Sequence, residues 1–111
     1  MALHAFDSVK YNEETGELLV AGTSERDLDA GAEIHVAVID VTNEDRRCQG
    51  EAQLRAPLFS WTATLENPPS KHKGETFPPF RDDDVVFVAG MSKDATLPVF
   101  VWAERFTIDK A

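Results

Sequence analysis

The chain has one cysteine, a shortage of basic residues and no apolar run long enough to span a bilayer. Each shortage excludes something. Cys48 alone cannot close an intramolecular disulfide, so a packed core must hold the fold. Eleven Lys and Arg stand against twenty Asp and Glu, for a formal charge of −9. Phosphate backbones and anionic lipid surfaces repel such a protein. Nucleic acid and membrane are therefore not expected partners. The serines lie outside any Gly-x-Ser-x-Gly setting. His4, His35 and His72 lack the His-x-His or Cys-x-x-Cys spacing of a zinc site. No phosphate loop occurs, and the expectation is a protein that is not an enzyme. The first residues, Met1 to Asp7, carry neither a basic nor an apolar leader region, so the chain as written is expected to be cytoplasmic.

What remains is enough for one packed unit. With 111 residues, 42% of them hydrophobic and 9% aromatic, the sequence supports a single domain over 1–111. Its apolar residues come in short β-branched and aromatic runs. The clearest is Glu33-Ile34-His35-Val36-Ala37-Val38-Ile39-Asp40-Val41. Gly, Pro, Asp and Asn clusters separate the runs. Seven strands are predicted, at 3–10, 17–24, 33–42, 48–55, 58–66, 85–92 and 98–109. Period-two alternation turns Phe59, Trp61, Ala63 and Leu65 inward on the fifth. It puts Val36, Trp61 and Phe87 into one shared interior. The third strand is apolar on both faces, which fits either a covered central strand or an outer face that meets a partner.

Residues 67–84 break the pattern. Pro68-Pro69 and Phe77-Pro78-Pro79-Phe80 exclude helix and interior strand, so this stretch reads as an irregular strap between sheets, pinned by Phe77 and Phe80. With no helical segment to carry parallel crossovers, the strands must pair antiparallel. The predicted fold is all-β, a seven-stranded antiparallel immunoglobulin-like β-sandwich, with a small antiparallel β-barrel as the alternative.

The stretch from Cys48-Gln49-Gly50 through Phe59-Ser60-Trp61-Thr62-Ala63-Thr64-Leu65 to Phe87-Val88-Ala89-Gly90 resembles bacterial immunoglobulin-like and fibronectin-type-III-like domains. The resemblance is one of architecture, and the Cys-Trp-Cys set of true immunoglobulin domains is missing. It implies a binding or structural module, since such folds host adhesion, carbohydrate binding, inhibitors and virion parts alike.

Candidate sites follow from exposed aromatics and clustered acids. Phe100, Trp102 and Phe106 alternate along the last strand with Val99, Val101 and Ala103, and one of the two sets must face outward. With Phe77 and Phe80 they form the candidate protein-binding set. In a common sandwich order one pole gathers Glu13, Asp45, Asp82, Asp83 and Asp84, oxygen ligands of the kind calcium takes. Glu25, Asp27 and Asp29 form a second acidic loop. Cys48 follows two arginines, which would lower its thiol pKa, or it is a small core residue. The expected function is a non-catalytic module engaging a protein partner, or a second copy of itself, as in phage or surface-appendage assemblies. A sugar- or calcium-binding accessory module and an acidic enzyme inhibitor are the alternatives, and no other cofactor is expected.

Overall fold

The computed structural model describes residues 4–24, 33–53, 60–93 and 98–111, with side chains at all of these except 4, 5, 24, 33, 52, 53, 91–93 and 98–102. Ten strands follow in order: β1 (His4–Tyr11), β2 (Leu18–Ser24), β3 (Glu33–Asp40), β4 (Arg47–Gln53), β5 (Ser60–Leu65), β6 (Ser70–His72), β7 (Glu75–Phe77), β8 (Val85–Lys93), β9 (Pro98–Thr107) and β10 (Asp109–Lys110). No helix occurs among the described residues. Each of the seven expected strands has a counterpart, in β1 to β5, β8 and β9. Leu3, Leu54, Leu58 and Phe59, the acidic stretch 25–32 and the turn at 94–97 lie outside the described residues.

One sheet has the order β10-β1-β2-β5 and the other β4-β3-β8-β9. All pairings within them are antiparallel except β1 with β10. No ladder joins the two sheets among the described residues. Their inner faces share one core. Trp61, Ala63 and Leu65 alternate inward on β5 while Ser60, Thr62 and Thr64 stay exposed. Ile34, Val36 and Val38 do the same on β3. Phe6 meets Trp61 edge-on, with ring centroids 5.7 Å apart. Gly50 lets β4 close on β5, because a Cβ there would lie 3.1 Å from Leu65 Cγ.

Three expectations change. First, Phe87 does not join the interior with Val36 and Trp61. It is 41% exposed, while its neighbours Val86 and Val88 are fully buried. All five residues from Val85 to Ala89 are apolar, so alternation alone could not choose which parity turns inward. Second, the strap is not wholly irregular. β6 and β7 pair as a hairpin around Lys73 and Gly74, both with positive φ (49° and 82°). That is the two-residue turn whose twist suits a hairpin. Third, the closing strand does not run on to residue 109. It ends at Thr107, buries Ile108, and crosses to the first sheet as β10, parallel to β1.

Candidate functional site

The outer faces of the two sheets differ in chemistry. On the first, the register sets Lys10 beside Leu19 and Thr64, then Ser8 beside Ala21 and Thr62, then Thr23 beside Ser60. Hydroxyls dominate, as water demands of a solvated face. On the second, β3 and β8 lie in the middle and pair Ile39 with Phe87 and Ala37 with Ala89. These four residues point away from the core, since their neighbours Val36, Val38, Val86 and Val88 fill it. Val41, next along the face, is half-buried. The outer face of the second sheet is therefore apolar along its centre.

Polar residues border this strip. Arg47, Gln49 and Glu51 on β4 pair with Ile39, Ala37 and His35 on one side. Arg105 on β9 pairs with Phe87 on the other. Arg47 Nε donates to the Glu44 carbonyl at 2.9 Å, which fixes its guanidinium at the rim. His35 Nδ1 lies 3.2 Å from Glu51 Oε1. The strip is not flat. The small residues Ala37, Gly50, Ala89 and Gly90, with His35 and Glu51, line an open trough of about 750 Å³. A second depression, about 670 Å³, runs beside Ile39 and Phe87 toward Ala103. Phe87 is exposed and lines the second of these depressions.

The strap is built around Arg46. Its Nη1 lies 3.1 Å from Asp40 Oδ2 and its Nη2 2.9 Å from Asp84 Oδ2. Nε donates to the Pro78 carbonyl at 2.8 Å and Nη2 to the Pro79 carbonyl at 2.7 Å. The guanidinium lies 4.5 Å from the Phe80 ring centroid. Asn67 fixes the same turn, donating to the carbonyls of Gly16 and Phe80 and accepting from the Phe80 N–H. Ser70 clips β6 to the start of β4: Oγ accepts from Arg47 N–H and donates to its carbonyl. His72, 3.5 Å from Asp45, stands near that serine. The hydroxyl proton of Ser70 is committed to backbone, so this cluster holds the hairpin in place.

These contacts relocate the sequence candidates. Phe80 is 1% exposed and belongs to the core, so it cannot dock a partner; the strap needs it as a plug. Phe77 is half-buried at the end of β7, and Phe106 is partly buried against the core. The side chains of Phe100 and Trp102 lie outside the described ones. The β9 backbone does change how they relate to Phe106. Val88 pairs with Glu104 but Gly90 with Val101, so two β9 residues, Trp102 and Ala103, stand opposite Ala89. Uninterrupted alternation from Phe100 to Phe106 is thereby broken.

The acids behave likewise. Glu13 pairs with Lys110 at 2.8 Å, and that hydrogen bond holds its carboxyl below the usual range. Asp45 faces His72, and Asp84 accepts from Arg46 and from the Arg81 N–H. Asp83 sits at a turn with φ of 72°, and Asp82 beside it is half-buried. The structure does not bring the five together around one point. Among the described residues no group of three or more His, Cys, Asp or Glu is placed to share an ion. The second acidic loop, Glu25, Asp27 and Asp29, lies outside the described residues. Cys48 is buried, and burial pushes its thiol up to about 12 against the opposing pull of Arg46. It is a small core residue, not an activated thiol.

The sequence reading passed over Ile39, Phe87, Arg47 and Arg105 as a group. The two apolar faces of β3 were the available signal; the β8 register was needed to turn it into a surface. No protein-family model, curated protein or solved structure matches the chain.

Proposed function

We propose that this chain is a non-catalytic binding module that engages a protein partner through the outer face of the β4-β3-β8-β9 sheet. The observation that carries the reading is Phe87, exposed on an apolar strip whose counterpart on the other sheet carries mostly hydroxyls around Leu19 and Ala21. Leaving a large aromatic and a neighbouring isoleucine toward water gains nothing for the isolated fold. A central aromatic with polar rims is the usual composition of a protein contact. We also infer an immunoglobulin-like seven-stranded sandwich as the frame. Three strands, β1, β2 and β5, face four, β4, β3, β8 and β9, while the hairpin β6–β7 and β10 are additions to that plan.

Site-specific photo-cross-linking in cells making the full chain tests the reading. A benzophenone side chain replaces Phe87 in one sample and Thr62, exposed on the opposite outer face, in another. A discrete protein adduct from position 87 and none from position 62 is expected. Equal adducts from both, or none from either, would overturn the assignment of this face.

A further inference from the structure

We propose that the partner seated on this face is a second copy of the chain, related by a twofold axis lying in the interface and running across the strands. The proposal rests on the reading of the β4-β3-β8-β9 face as a protein contact and names its occupant. One feature carries it: the charges along the described rim are arranged to match their own reverse.

An isologous contact needs a surface complementary to itself, in which one residue meets another and is met by it in turn. Here Ile39 and Phe87 form one row of the face, Ala37 and Ala89 the next, and His35 with Glu51 belongs to the third. Rotation about an axis through the Ala37–Ala89 row reverses the strand direction. It carries Ile39 of each copy onto the His35 row of the other, with the small alanines meeting at the centre.

The rim charges select this axis over its rival. Along β4 the outward residues read Arg47, Gln49, Glu51: positive, neutral, negative. An axis across the strands lays β4 on its own reversed copy and sets each Arg47 opposite the other copy's Glu51, twice by symmetry. An axis along the strands would instead lay β4 on β9 and set Arg47 against Arg105, since both flank the Ile39–Phe87 row. Like charges directly opposed in an interface are strongly disfavoured. The described rim balances Arg47 and Arg105 against Glu44 and Glu51, so its described charges cancel in a molecule of charge −9.

Size sets the strength. Four strands roughly 4.8 Å apart, over about seven residues at roughly 3.4 Å each, give a face of about 460 Å². Stable interfaces bury about 800 Å² on each partner. The contact is therefore smaller than a stable interface, and the dimer is a weak one.

Sedimentation equilibrium on the full chain, from about 5 μM to about 1 mM, tests it. The mass is expected to rise from 12.3 kDa toward twice that value across this range. R47E and E51R, both at exposed positions, are each expected to weaken dimerisation at least about tenfold. Together they should restore it to within about threefold of the parent, because the swapped pair keeps its complement. F87D should remain a monomer throughout, with circular dichroism confirming that it folds. A parent chain that stays monomeric at about 1 mM would overturn the proposal, as would a double variant no better than the singles. A monomer that still yields a cross-link from position 87 to a different protein sinks the second copy alone. Loss of that positional cross-link sinks the reading of the face as well.

Discussion

Arg46 donates to two carboxylates and two carbonyls and lays its guanidinium on Phe80, all with only 13% of its side chain exposed. Removing it strands Asp40 and Asp84 without their cation and frees the strap's prolyl carbonyls. Hydrogen bonds to charged groups contribute about 1.5–3 kcal/mol. R46A is expected to lose stability of that order in urea unfolding. R46K should recover little, because an ammonium cannot reproduce a planar fork that serves four acceptors. Asp40 gives a pH dependence with a definite sign. Burial opposes its ionisation, but hydrogen bonds from Thr42 and Arg46 outweigh burial and hold its carboxyl below 3.8. A depressed carboxylate stabilises the fold above its unfolded pKa, and that contribution is lost as pH falls through the folded value. The melting temperature should therefore drop as pH falls below about 3.8, and D40N should start lower at neutral pH and show a shallower acid decline.

At the scale of elements, Asn67 behaves like a strand residue. Its carboxamide meets both the N–H and the C=O of Phe80, as a neighbouring backbone would, and so seals the strap where prolines leave few donors. N67D keeps the acceptor and loses both donated bonds. It is expected to cost about 2 kcal/mol, read by urea unfolding, and to raise amide exchange at Phe80. Elements were also where the sequence was hardest to read. The first strand keeps no steady alternation, because Phe6 and Val9 are both buried three residues apart. The register slips between Phe6 and Ser8, leaving Asp7 as an extra exposed residue that switches parity. No composition rule marks such a residue. The same device at Trp102 and Ala103 undoes the alternation of β9. By contrast, Lys73-Gly74 could have announced the β6–β7 hairpin, but the surrounding prolines argued more loudly for a loop. The strands β3 and β5 were legible because their inward positions are uniform and nothing interrupts their period.

For the whole molecule, one core between two sheets was legible from the spacing of the runs and the absence of helical periods. The proposed binding face was half legible. Apolar residues on both sides of β3 pointed to a covered outer face, yet the neighbouring β8 run is apolar throughout and gave no parity. Only pairing with Ile39 and Ala37 shows that Phe87 and Ala89 continue the outer strip. Of the candidate aromatics in the strap, Phe80 is a core residue rather than a docking one, for a related reason. A proline-bounded phenylalanine can plug a core or meet a partner, and burial, not sequence, decides between them.

Everything proposed for the outer face depends on the side of the second sheet from which Phe87 projects. The unfolding free energy of F87A, measured by urea at about 1 μM, where a weak dimer is dissociated, reads this directly, with V88A as the same-strand comparison. An outward Phe87 predicts a loss of no more than about 1.5 kcal/mol for F87A, against about 2 kcal/mol for V88A. A loss of about 3–5 kcal/mol for F87A, the cost of emptying a core phenylalanine site, would place that ring inside and contradict the account.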